Sequence, residues 1–145
     1  MKKLLVIIVV SLCGILPSFA DSDVIITKKD LPTISQQFID KYFAGIEISY
    51  VKKEVEVLVI KSYDVILTNG VKLEFNNKGE WTSVDCKKSE VPSKIIPSAI
   101  LQYVKTNFPS NSIVEISKSV FGYDVDLNNG LEIQFNKEGK FRSID

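Results

Sequence analysis

The chain has 145 residues, enough for one domain or two small ones, and its 45% hydrophobic and 25% charged residues are the balance of a globular protein. Lys and Arg number 18, as do Asp and Glu, so the formal net charge is zero; without a basic stripe there is no counterion-release drive toward nucleic acid. No His occurs anywhere, which excludes Ser-His-Asp and Cys-His catalysis and the usual zinc ligation.

Residues 1–20 read as a signal peptide. Lys2 and Lys3 form a positive start, Leu4 to Leu12 an apolar stretch, and Ser18-Phe19-Ala20 places small residues where a signal peptidase inspects them. The stretch is too short for a stable membrane span. A lipoprotein anchored through Cys13 is the rival reading, but it wants a small residue before the Cys and Leu12 is bulky. The expected location is therefore periplasmic or secreted. The exported chain loses two of its 18 basic residues and carries 16 − 18 = −2. Cys86 is then its only Cys, without a partner for an intramolecular disulfide, and reads as a buried small hydrophobe or an edge thiol.

Next come two related segments. Tyr63 to Asp85 and Tyr123 to Asp145 align without a gap at an offset of 123 − 63 = 60, with eleven of 23 positions identical. Upstream, Leu31-Pro32 aligns with Ile96-Pro97 and Phe43 with Phe108 at an offset of 65. The drop from 65 to 60 predicts a first hairpin five residues longer in the first copy. Gapless self-similarity of this kind marks an internal duplication. The expected organisation is a repeat over 21–86, a linker over 87–95 and a second repeat over 96–145.

In each copy a helix is predicted first. Pro32 and Pro97 suit the first helical turn, where a missing N–H costs nothing. Ile34, Phe38 and Tyr42 recur at spacing four, as do Ile100 and Val104, and the helices stop at Ala44-Gly45 and Pro109-Ser110. The period then changes to two. Tyr63, Val65 and Leu67 alternate with Asp64 and Thr68, only Ile66 breaking the pattern, and Tyr123, Val125 and Leu127 alternate cleanly with Asp124 and Asp126. Asn69-Gly70 and Asn129-Gly130 are hairpin signals, since both central positions of such a turn accept positive φ. Longer turns follow at 76–79 and 136–139, then a last strand. The expected fold class is α+β: two tandem repeats, each one main helix packed on an antiparallel sheet of about four strands, with the other face open.

Three kinds of candidate site residue emerge. Trp81, the only Trp, aligns with Phe141. If Asn76 pairs Glu80, Trp81 opposes Phe75 in the core, the preferred register; if Phe75 pairs Glu80, Trp81 and Phe141 form an exposed aromatic patch. The duplicated carboxylates Asp64 and Asp124, or Asp85 and Asp145, allow formal acid–base chemistry, but solvated strand positions explain them better. Asp126, Asn76 and Asn136 offer oxygens for calcium, although no EF-hand spacing exists and Asn in turns needs no metal. No other cofactor is expected.

The Leu-Pro or Ile-Pro helix, Tyr-Asp-Val, Asn-Gly, Phe-Asn and the Gly-Glu-Trp or Gly-Lys-Phe series resemble the PepSY-like proteins related to beta-lactamase-inhibitor protein, exported tandem-repeat proteins of Bacteroidetes. The resemblance covers nearly all of the exported chain. It implies a repeated helix-on-sheet unit able to form one curved sheet, a binding or inhibitory role, and no catalytic residues. The combined expectation is a non-enzymatic binding module that recognises a protein, peptide or cell-envelope partner through the open sheet face. The alternative is a calcium- or small-ligand-responsive envelope protein.

Overall fold

The computed structural model describes residues 22–145; the signal peptide at 1–20 and Cys13 lie outside the described residues. Strand β1 (Ser22–Ile26) leads through a 3-10 turn (Lys28–Asp30) to helix α1 (Thr33–Tyr42). Four strands follow: β2 (Ile48–Glu56), β3 (Val59–Leu67), β4 (Lys72–Asn76) and β5 (Trp81–Asp85). Helix α2 (Ser98–Asn107) precedes β6 (Ile113–Ser119), β7 (Gly122–Leu127), β8 (Glu132–Phe135) and β9 (Phe141–Ile144). All nine strands form one sheet in chain order, every neighbouring pair antiparallel. Among the described residues no helix is long and apolar enough to cross a membrane.

This corrects the expected pair of repeats, each a main helix on its own sheet of about four strands. Helix is confined to two ten-residue segments, and the sheet dominates. The physical reason lies at β5 and β6. Val84 stands opposite Ile116 and Asp85 opposite Glu115, so the ladder continues where a boundary between units was expected. Strand β1, which carries neither alternation nor turn signal, adds a further strand by pairing Ser22–Ile26 with Val51–Val55. Residues 87–95 also join the fold, since the Val91 N–H donates to Ile113 O at 2.9 Å and Val91 and Ile95 are buried.

What unifies the sheet is one apolar row. Ile26, Val51, Val65, Leu73, Val84, Ile116, Val125, Ile133 and Ile144 face one another strand by strand. From Val51 to Ile133 none is more than 1% exposed. Each such side chain contributes about 2 kcal/mol of burial, and no set of strands could be withdrawn without exposing the next. Both helices lie on this face. Phe38 of α1 meets Phe75 edge-on at 5.7 Å, and Tyr103 of α2 meets Phe135 at 5.4 Å.

Local chemistry explains three departures from expectation. Helix α1 turns Ser35 and Ile39 into the core and leaves Ile34 half exposed; the Ser35 hydroxyl donates to Gly79 O at 2.8 Å, and α2 has the same rotation with Ile100 buried at the matching position. The Asn-Gly turns do not take positive φ at both central residues. Only Gly70 and Gly130 do, closing three-residue loops through the Gly70 N–H to Leu67 O and the Gly130 N–H to Leu127 O. Positive φ at two successive residues falls instead on Val57 (46°) and Leu58 (66°), at the tip of the β2–β3 hairpin. That hairpin has 9 + 9 strand residues against 7 + 6 in β6–β7, the five extra that the change of offset requires.

Candidate functional site

The aromatic candidates lie on the helix side of the sheet. Asn76 pairs Glu80 through its N–H at 2.9 Å, Phe75 stands opposite Trp81, and a bulge follows. The bulge absorbs Thr82, so that Trp81 and Val84 both face the helices although they are three residues apart. Trp81 is half-buried against Phe38, with ring centroids 6.2 Å apart, and the Lys118 ammonium lies 4.2 Å from its ring centre. Burial pulls the pKa of that ammonium down, with Glu80 opposing. Phe141 occupies the matching place in β9, stacked on Tyr103 at 5.1 Å and 43% exposed. Trp81 and Phe141 thus rest on different helices and form no common patch.

The open face is set by the opposite side chains of the same strands. Over β1–β4 two lysines bridge its four carboxylates. Lys52 lies 2.9 Å from Glu54 and 3.5 Å from both Asp23 and Asp64; Lys72 lies 2.6 Å from Glu74 and 3.6 Å from Asp64. The Ser62 hydroxyl donates to Glu54 at 2.7 Å. Asp64 is only 9% exposed, and burial pushes its carboxyl up while Lys72 pulls it back.

Over β5–β9 the bridging lysines are gone. Asp85, Glu115, Asp126, Glu132 and Asp145 stand opposite one another on five successive strands. Beside them run Asp124 and Gln134. The cause is visible at corresponding positions. Lys72 corresponds to Glu132 and Ile66 to Asp126 at the offset of 60, and Lys52, which faces Asp64, is matched by Ser117, which faces Asp124. Asp85 keeps a cation, Lys87, by ammonium and backbone N–H. Among the described residues no ion pair reaches Glu115, Asp124, Asp126 or Glu132. Burial raises the Glu115 carboxyl above its ordinary 4.5, with Asp85 and then Asp126 adding to it; burial likewise raises Asp126, with Asp85 and Asp124. This row was not legible from single residues, because it exists only once strand order and bulges are fixed.

Like charges directly opposite one another cost stability. Because the folded pKa of Glu115 is raised, the folded chain binds more protons just above pH 4.5, so stability rises as pH falls through the folded value and the penalty is full at pH 7. Glu115→Gln is expected to raise unfolding free energy at pH 7 by roughly 0.3–1 kcal/mol, a gain that disappears below about pH 4. Urea titrations at both pH values check this; an equal gain at both would show that charge is not the cause.

The calcium candidates are not brought together. Asn76 Oδ1 accepts from the N–H groups of Lys78 and Glu80, both at 3.0 Å, and Asn136 Oδ1 from those of Glu138 at 3.1 Å and Lys140 at 2.8 Å, so both are engaged in their turns. Asp126 sits near the other end of the strands, roughly 13 Å along from Asn136 by strand rise. Among the described residues no three acidic or Cys side chains are disposed to hold a metal. Cys86 is buried, and desolvation followed by Asp85 pushes its thiol up to about 11, away from nucleophilic use.

Comparison with known proteins matches residues 61–143 to a family model described as beta-lactamase-inhibitor-like and PepSY-like. Among solved structures, a periplasmic protein of unknown function from Bacteroides vulgatus is 39% identical, with a TM-score of 0.81 over 86% of this chain and 99% of its own. A second from the same species, in the DUF2874 family, is 42% identical with a TM-score of 0.81, covering 87% and 98%. A third, from Bacteroides thetaiotaomicron and described as a calcium-regulated periplasmic protein, is 40% identical with a TM-score of 0.81, covering 85% and 96%. The comparison with curated proteins finds no match. The chain belongs to the beta-lactamase-inhibitor-like, PepSY-like family of periplasmic proteins.

Proposed function

We propose that the chain is an exported, non-enzymatic binding module that holds a protein or peptide of the cell envelope against the open face of its sheet, an inhibitory role included. The observation that carries this reading is the carboxylate row Asp85–Glu115–Asp126–Glu132–Asp145. Its members repel one another, no lysine interrupts it beyond Asp85, and folding gains nothing from it. A basic partner turns that repulsion into attraction. The row crosses four strand spacings, about 19 Å, the length of roughly six extended residues.

Capture from an envelope extract tests the proposal, with wild type compared against Glu115→Lys/Asp126→Lys. Wild type is expected to recover a basic partner whose yield falls as salt is raised, and the variant to lose it. Phe141→Ala, altered on the helix side, is expected to recover as much as wild type. Equal recovery by wild type and the charge-reversed variant would overturn the proposal.

A second reading, a calcium-responsive envelope protein, is favoured by the same row together with the relative described as calcium-regulated. The ion would have to gather carboxylates that are not gathered beforehand. An unchanged melting temperature up to millimolar calcium removes this reading.

A further inference from the structure

The end of the sheet opposite the Asn-Gly turns carries the β2–β3 and β6–β7 tips. Leu58 is 97% exposed, flanked by exposed Val57 and Val59; Val120 and Phe121 form the other tip and are also exposed. Turn chemistry calls for Asn, Asp or Gly where φ is positive at two successive residues, and a β-branched residue there is strained. Val57 and Leu58 therefore sit where the fold would favour almost any polar turn. Strain held at an exposed position points to use rather than to packing.

Two further observations indicate what meets these tips. Leu58 is exposed on all sides at the end of its hairpin, while Phe121 borders an open cleft with Gly122, Gln134 and Arg142, so the pair fits a fluid apolar acceptor better than a shaped one. The turns at the same end carry exposed Lys78, Lys137 and Lys140 against Glu80 and Glu138, with Arg142 beside them on β9 and Glu56 held by Lys61 at the first tip, a balance of 5 − 3 = +2, whereas the carboxylate row lies toward the other end. We propose that the chain rests on the surface of a lipid bilayer through this end, with Leu58 and Phe121 dipping below the headgroups and the basic turns facing lipid phosphates. The open face then stays clear for its partner.

Flotation of residues 21–145 with vesicles of phosphatidylethanolamine and phosphatidylglycerol tests this without the apolar N-terminal run. Wild type is expected to float with the vesicles, less so in high salt. The variant Val57→Asn/Leu58→Gly/Phe121→Ser supplies proper turn residues, so it is expected to melt no lower than wild type. Its partitioning is expected to fall about tenfold or more, the weight of one large apolar side chain. Failure of wild type to float, or equal flotation of the two, overturns the proposal. So does a tip-dependent protein capture without flotation, which would assign the tips to a protein pocket. Glu115→Lys/Asp126→Lys should float like wild type, so this result stands apart from that of the open face.

Discussion

Phe75→Ala is expected to cost about 3–5 kcal/mol of unfolding free energy, a large share of what a domain of this size possesses. Phe75 is 0% exposed and lies where three contacts meet: Tyr63 opposite it on β3, Trp81 opposite it on β5, and Phe38 of α1 edge-on at 5.7 Å. The cost of such a deletion depends on how far the surroundings can collapse into the hole. Here they are held on every side. Trp81 is clamped between Phe38 and the Lys118 ammonium, and the turn after β4 is tied to α1 by the Ser35 hydroxyl on Gly79 O. Urea unfolding should show a lower midpoint with an unchanged slope. Phe141→Ala removes an aromatic ring from an equivalent strand but at a half-open site, so its expected cost is below about 1 kcal/mol. Equal costs for the two would mean that the helix and sheet do not close tightly over Phe75.

How much of this could be read beforehand divides along physical lines. Alternation in Tyr63–Leu67, broken only at Ile66, and strict alternation in Tyr123–Leu127 identified strands and their buried faces, because a side-chain period of two belongs to the isolated strand. The change of offset gave the longer first hairpin by arithmetic alone. What failed required neighbours. Ile34 carries the helical spacing yet is half exposed, since packing against the sheet and against a turn 44 residues away, not spacing alone, sets which face of α1 is buried. Asn69 was read into a two-residue turn, but its side-chain Oδ1 accepts from the Val71 N–H at 3.2 Å, and Gly70 alone has positive φ. Strand β1 has no pattern of its own and is a strand because the side of β2 turned away from β3 offers it an edge.

The candidate site divides in the same way. The individual acidic residues were legible, with Asp85 and Asp145 singled out as one duplicated pair and Asp126 as a calcium candidate, but not as a row. Whether Glu115 faces Asp126 or the core depends on a bulge between Ile113 and Glu115, and the facing of Asp85 on a bulge after Glu74. Bulges shift a register by one residue, and one residue exchanges the two faces of a strand. For Trp81 the preferred pairing is the one found, Asn76 with Glu80 and Phe75 opposite Trp81; what a regular strand could not show is the bulge at Thr82, which brings Val84 to the helix side as well.

Gly122→Ala tests a constraint that the internal alignment would miss. Position 122 corresponds to Ser62 at the offset of 60, so a small side chain there looks acceptable from the duplicated sequence. Ser62 has a backbone that any residue can adopt, and its hydroxyl projects onto Glu54. Gly122 has φ +144°, and a Cβ built there would lie 2.0 Å from Phe135 O and 2.8 Å from Asn136 C. Both obstacles are backbone, and the strand that carries them cannot withdraw. Asn136 is locked to Lys140 by its N–H at 2.9 Å, and Gln134 lies between β7 and β9. Strain and overlap together are expected to cost about 3 kcal/mol or more. Gly70→Ala isolates the conformational part, because Gly70 also has positive φ but open space around it, and its expected cost is about 1 kcal/mol. Thermal melts of the two variants should therefore separate clearly, with Gly122→Ala far the lower and Gly122→Ser no better. Equal melting temperatures would mean that β7 moves away from β8 freely, and the tight crossing at Gly122 would have to be abandoned.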